Sequence, residues 1–332
     1  MKQVLILLYI IFFTSSVFAT PQKTPAYDAV LSNYSYDFDV EYFNFSSQGQ
    51  QLKMAYSYLP AKGDKPVVTL LHGKNFNGHY WTTTANYLQE QGYGVLIPDQ
   101  IGFGKSSKPT NYQYSFASLA SHTHALMASL KIEKSIVLGH SMGGMLASRF
   151  ALMYPSATTK LILLNPIGLE NYLDYVDYKD TDFFYKSELA KTPAGVKKYQ
   201  QKNYYDGNWN SQFEALTHFI TGQIQGPDKE QVAWVNAKTY DMIFTQPVIT
   251  EFSNFTMPVK LIIGTRDRTG PGRNWKKQGV DYELGRYDKL GKSAAALIPN
   301  AQLFELEDLG HLPHIEDFER FKAVFSKALE TK

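Results

Sequence analysis

Five short, nearly unbroken apolar runs recur along this chain: Val67-Val68-Thr69-Leu70-Leu71, Gly94-Val95-Leu96-Ile97, Ser135-Ile136-Val137-Leu138, Leu161-Ile162-Leu163-Leu164 and Val259-Lys260-Leu261-Ile262-Ile263. Runs of this length without polar alternation suit strands buried on both faces, as in parallel sheets covered by helices. Helix-like segments at 81–91, 116–130 and 145–153 separate them, and a last strand at 302–306 precedes a last helix at 317–329. Strand and helix alternate, so a parallel α/β sheet is expected. Ahead of it, 38–45 and 51–58 alternate apolar with polar residues and read as an antiparallel hairpin.

The alternation breaks between 168 and 258, where Tyr172, Tyr175, Tyr178, Phe183, Phe184, Tyr185, Tyr199, Tyr204, Tyr205, Trp209, Phe213 and Phe219 crowd together. Helix-like pieces at 210–223 and 228–240 make this a helical cap inserted into a core formed by 20–167 and 259–332. Most of its aromatics are expected to pack among themselves, with a few facing a cleft beneath. At 332 residues, 44% hydrophobic, the chain is long enough for one large core plus such an insertion. A net charge of +2 without a basic run excludes a nucleic-acid footprint.

Met1-Lys2-Gln3, ten apolar residues over 4–13 and small residues at Val17 and Ala19 form a signal-peptide pattern over 1–19, with cleavage expected after Ala19. The apolar stretch is shorter than the roughly 20 residues of a membrane span, and no other stretch is long enough. There is no cysteine, so the exported fold must stand without disulfides. A periplasmic or extracellular location follows.

Gly139-His140-Ser141-Met142-Gly143 fits G-x-S-x-G at the junction of an apolar run and a helix. A serine on so sharp a strand-to-helix turn leaves no room for side chains two residues to either side. Serine needs a base in hydrogen-bond reach, and the base needs an orienting carboxylate. Asp267 follows the strand 259–263 and His311 follows the strand 302–306, giving the order Ser, Asp, His. Asp241, Asp281 and Asp288 do not follow a buried strand. His314 competes with His311 as base.

His72-Gly73, Asp99-Gln100-Ile101-Gly102-Phe103-Gly104-Lys105-Ser106, Gly139 to Gly144, and Gly310-His311 with Pro313-His314 together resemble the α/β-hydrolase superfamily from about Tyr36 onward. The resemblance implies a mostly parallel eight-stranded sheet flanked by helices, with the cap over the site. It also implies Ser141 as nucleophile, His311 as general base and Asp267 as its orienting acid. Some members carry the acid one strand earlier, where this chain has Asn165-Pro166. The oxyanion donors would be the backbone N–H groups of Met142 and Lys74, with Asn75 or Phe76 as alternatives to Lys74. The Lys74 side chain reads as solvated, the alternative being attraction of anionic substrates. The turn 99–106 reads as structural.

Gly104-Lys105-Ser106 lacks the earlier glycine of a phosphate loop, and His122 and His124 fall on different helix faces. No metal and no cofactor are expected. The segment 268–301, longer than a strand-to-helix connection requires, is either a rim of the cleft or surface elaboration. The expected activity is hydrolysis of small carboxylic esters through an acyl-enzyme. Carbon-carbon bond hydrolysis, lactonase, thioesterase and aminopeptidase chemistry share the same triad. A non-catalytic ligand receptor is the alternative of another class.

Overall fold

A computed structural model describes residues 25–331; the expected signal segment and its cleavage point lie outside the described residues. The chain enters through a hairpin, β1 (Glu41–Ser47) and β2 (Gln50–Leu59), whose turn residues Gln48 and Gly49 take φ of 48° and 72°. Positive φ at both positions is what a two-residue type I′ turn demands. The remaining strands are β3 (Val67–Leu71), β4 (Gly94–Pro98), β5 (Ser135–His140), β6 (Thr158–Leu164), β7 (Val259–Gly264) and β8 (Ala301–Leu306). They form one eight-stranded sheet in the order β1-β2-β4-β3-β5-β6-β7-β8. Only β2 pairs antiparallel to both its neighbours; β3 through β8 run parallel to one another.

Alternate strand residues enter two cores. Val68, Leu70, Val95, Ile97, Ile136, Leu138, Ile162, Leu164 and Ile262 face one side, where they meet Trp81, Leu88, Phe321 and Phe325. Leu71, Leu96, Val137, Leu161, Leu163, Leu261 and Ile263 face the other, among Phe116, Met145, Phe150 and Leu290. The covering helices are α1 (Thr82–Glu90), α2 (Phe116–Ser129), α3 (Met142–Met153), and, beyond the insertion, α9 (Tyr287–Leu297), α10 (Pro313–Glu316) and α11 (Phe318–Glu330).

Five helices lie between β6 and β7: α4 (Thr181–Leu189), α5 (Pro193–Tyr204), α6 (Ser211–Ala215), α7 (His218–Ile224) and α8 (Lys229–Thr245). Asp180, Thr192 and Asn210 cap the first three through their side chains. The piece expected over 210–223 is therefore two helices, broken at Leu216 and Thr217, and α4 and α5 are additional to the expected pair. The aromatics do pack mainly among themselves: Phe184 meets Tyr240 and Phe244, and Tyr205 stacks on Phe213. Tyr178, Phe183 and Tyr199 stay exposed. In the segment 268–301, α9 covers the sheet, while Lys276 bridges Val176 and Trp275 packs on Phe183 and Phe184. Its first half thus docks on the insertion.

Strand order determines where a site can open. From β3 the chain runs through α1 to β4 on one side, and from β5 through α3 to β6 on the other. The loops leaving the C-terminal ends of β3 and β5 diverge, which makes a crevice at this switch point. His72-Gly73-Lys74 leaves one strand and Ser141 the other.

Candidate active site

Ser141 sits at φ 56° and ψ −123°, a conformation rarely adopted by a residue with a side chain. The close approach of backbones explains the glycines around it. A Cβ on Gly139 would lie 2.0 Å from the Gly143 carbonyl oxygen, and one on Gly143 would lie 2.1 Å from that of Leu71. A Cβ on Gly144 would lie 2.4 Å from the Pro166 Cβ. The elbow is held by the Ser141 N–H donating to Leu164 O and the Ile167 N–H donating to Ser141 O.

The structure brings Ser141, His311 and Asp267 together. Ser141 Oγ lies 3.0 Å from His311 Nε2, and His311 Nδ1 lies 2.7 Å from Asp267 Oδ2. With Nδ1–H donated to the carboxylate, Nε2 is left to accept the serine proton. Burial pushes the Asp267 carboxyl up. The His311 charge and hydrogen bond, with donors from Asn165 Nδ2 (2.9 Å) and the Thr269 N–H (2.7 Å), outweigh that and hold it below the usual carboxylate range. The histidine loop is anchored by Glu316, which accepts from the Gly310 N–H at 2.7 Å and pairs with Arg266. Tyr204, at the end of α5, stacks on the His311 ring with centroids 4.9 Å apart.

His314 is not part of this relay. Its ring is buried 4.6 Å from that of Trp81, neither nitrogen has a hydrogen-bond partner among the described residues, and burial pushes its pKa down to about 3. His122 and His124 are also apart: one lies near Ser47 and Tyr112, the other stacks on Tyr154. No group of three or more His, Cys, Asp or Glu able to hold a metal ion occurs among the described residues.

Residues the sequence reading had not singled out complete the site. His140, an unspecified position of the pentapeptide, donates from Nε2 to the His311 carbonyl at 2.8 Å and accepts from the Tyr80 hydroxyl at Nδ1, at 2.9 Å. The Gly73 N–H in turn donates to Tyr80 Oη at 3.1 Å. A single chain of bonds therefore ties the loop after β3 to the loop carrying His311. Burial keeps His140 neutral, far below the ordinary histidine range. Asn165, noted in the sequence only as unable to supply a carboxylate, bridges β6 to β7: Oδ1 accepts from the Gly264 N–H at 2.8 Å while Nδ2 holds Asp267. A lone amide ending the otherwise apolar run of β6 is the sequence signal that marks it.

The loop after β3 is fixed by His72, which donates from Nδ1 to Gly73 O and accepts the Gln100 N–H at Nε2. Asp99 fixes its far end by accepting from the Gly78 and Lys105 N–H groups and from Tyr36 Oη. A Cβ on Gly73 would come within 3.0 Å of Ser141 Cβ, so this loop runs against the nucleophile. The Phe76 N–H is engaged by Gly73 O, whereas none of the Met142, Lys74 and Asn75 N–H groups has a partner among the described residues, so Asn75 stays open beside Lys74. The Lys74 side chain departs from the reading as solvated: it is 9% exposed, 3.5 Å from Glu188 and above the Tyr240 ring. Helices α4 and α8 roof it over, which the sequence of the loop alone does not reveal.

Fold and site together define an α/β hydrolase architecture, and the α/β hydrolase fold family model matches residues 66–277. The chain belongs to that family. A solved structure of a probable hydrolytic enzyme from Pseudomonas aeruginosa PAO1 is 44% identical, with a TM-score of 0.91, over 93% of this chain and 100% of that one. The esterase EaEST from Exiguobacterium antarcticum shares the fold, at 17% identity and a TM-score of 0.66, over 84% of this chain and 96% of its own. RutD of Escherichia coli O44:H18, whose name carries a provisional assignment as a carbamate hydrolase, is 35% identical over 32% of this chain and 39% of its own length. The match thus spans about two fifths of that curated relative. No helix among the described residues is long and apolar enough to cross a membrane.

Proposed function

We propose that this chain is an exported serine hydrolase acting on small carboxylic esters through an acyl-enzyme intermediate. The observation that carries the reading is the relay Asp267–His311–Ser141, with 2.7 Å and 3.0 Å steps, ending on a serine held at a strained turn. Ser141 Oγ attacks the carbonyl carbon as its proton passes to His311 Nε2. Charge gathers on the carbonyl oxygen, where the unengaged N–H groups of Met142 and Lys74 receive it; one such donor is typically worth about 10² to 10³ in rate. His311 gives its proton to the departing alkoxide and leaves Ser141 acylated. It then deprotonates the water that frees the acid and restores the serine. Asp267 holds the tautomer throughout and stabilises the imidazolium.

The serine at the elbow speaks against reactions that need an aspartate nucleophile there. Similarity to RutD and to the Pseudomonas enzyme supports hydrolysis in general, and carbamates share the acyl chemistry of esters. Steady-state rates on 4-nitrophenyl esters of increasing acyl length, with lactones, thioesters, carbamates and aminoacyl anilides beside them, test the reading. Esters should be turned over best, and Ser141→Ala should lower kcat by about 10⁴ or more. Turnover unchanged in Ser141→Ala would overturn it. Export rests on the segment 1–19, and its check is a mature N-terminus at Thr20 after secretion.

A further inference from the structure

We propose that the Lys74 ammonium is an anion-recognition group of the substrate cleft, so that the favoured substrates carry a carboxylate near the scissile carbonyl. The inference rests on the serine-hydrolase reading and adds to it a class of substrate. Lys74 follows Gly73, which lies against Ser141, and precedes Asn75, whose Nδ2 donates at 3.2 Å to the Tyr204 hydroxyl above His311. Its backbone thus adjoins the residue that packs on the nucleophile, and its ammonium lies under α4 and α8, against Glu188 and Tyr240.

A buried cation is ordinarily paired and fully hydrogen-bonded, because leaving it short of partners is expensive. Lys74 falls short of this. Its carboxylate contact among the described residues, Glu188 Oε1, is at 3.5 Å, while Lys191 holds the other oxygen of Glu188 at 2.6 Å. Asn236 Nδ2 also approaches that second oxygen, at 3.5 Å. Two ammonium groups thus share one carboxylate, and one positive charge is uncompensated within the cluster. The Tyr240 ring, 5.0 Å from Nζ, offers a π face but no acceptor of comparable strength. A clamp built only to fasten the roof would show a short pair, and Lys191 already supplies that to Glu188. Burial lowers Lys74 to about 8, with Glu188 opposing the shift, so the charged form prevails at neutral pH.

The test compares matched neutral and anionic compounds: 4-nitrophenyl hexanoate with mono-4-nitrophenyl adipate, and phenyl butyrate with the butyrate ester of 3-hydroxybenzoate. At least one pair should show kcat/KM about tenfold or more in favour of the carboxylated member, mostly through KM. Lys74→Met should erase that ratio and Lys74→Arg retain it. Glu188→Gln removes the carboxylate that keeps Lys74 charged against burial, so the preference should fade at a lower pH than in wild type. Wild-type protein without a preference in either pair, a Lys74→Met variant that keeps the wild-type ratio, or a Glu188→Gln preference whose pH profile matches wild type would overturn the subsite. Calorimetric binding of adipamate against hexanamide, in wild type and Lys74→Met, reads the same preference without turnover. Labelling of Ser141 by a fluorophosphonate reads the nucleophile separately. A labelled protein with no preference loses the subsite alone, and an unlabelled one loses the hydrolase reading, with calorimetry still deciding for or against the anion site.

Discussion

At the scale of single residues, the site depends on groups that hold the triad as much as on the triad. Asn165 gives Asp267 one of its buried hydrogen bonds while closing β6 onto β7. Asn165→Ala should therefore lower kcat about tenfold, the worth of one hydrogen bond to a charged group, and leave KM nearly unchanged. Steady-state kinetics check this, and an unchanged kcat would reduce Asn165 to a strand-end brace. That Ser141, Asp267 and His311 should meet was legible in the sequence because each follows a strand, two of them unbroken apolar runs, at the same end of the sheet. His140 was hidden because the pentapeptide leaves its position free, and its bonds run to His311 O and Tyr80, residues distant in sequence. Lys74 was misread for a related reason. Whether a loop lysine meets water depends on what covers it, and α4 and α8 come more than a hundred residues later.

At the scale of elements, the five inner strands β3 to β7 were read to within a few residues because burial on both faces leaves an unbroken apolar signature. The insertion was read less well. Polar residues such as Lys197, Lys198, Gln201 and Lys202 dominate α5, and its aromatics lie on more than one face, so no clean helical period emerges. The same weakness hid how the insertion meets the segment after β7. Glu170 makes that junction: both its oxygens lie 3.2 Å from the Gly285 N–H. Burial pushes its carboxyl up to about 7, with the Gly285 N–H, the Tyr282 hydroxyl and the Arg273 charge opposing. The folded protein thus holds a proton that the unfolded chain releases near pH 4.5, so stability falls as pH rises from about 4.5 to 7. Glu170→Gln removes that proton, and the tyrosines its charge acts on, Tyr172, Tyr175, Tyr282 and Tyr287, titrate above the range tested. Urea denaturation at pH 4.5 and pH 8 should show wild type losing up to about 3 kcal/mol relative to Glu170→Gln, and parallel behaviour of the two proteins would contradict the assignment.

At the scale of the whole molecule, the parallel sheet and its crevice followed from the alternation of runs, but the way the insertion is tied to the core did not. Beside the Lys74–Glu188 and Asn75–Tyr204 contacts, the irregular segment 25–36 makes one such tie. Its Tyr27 and Ala29 N–H groups donate to Gly222 O and Asp228 Oδ2 on the insertion side. On the core side, Leu31 O accepts from Lys105 Nζ and Tyr36 donates to Asp99. Such a segment has no periodicity to betray it. Its close seat is visible at Gly226, where a Cβ would lie 1.8 Å from Tyr27 O. Gly226→Val should dislodge it, lowering the melting temperature by roughly 2 to 8 °C and opening the segment to proteolysis, while Ser141 stays reactive. Loss of reactivity at Ser141 in a folded Gly226→Val protein would show that the tie reaches the site.

The central claim is that Ser141 is a nucleophile activated by His311. Its most direct test is mass spectrometry after incubation with a fluorophosphonate. One adduct is predicted, on the peptide containing Ser141, absent in Ser141→Ala and slowed by about 10³ or more in His311→Ala. No adduct on folded protein, an adduct elsewhere, or equal labelling in His311→Ala would contradict the account.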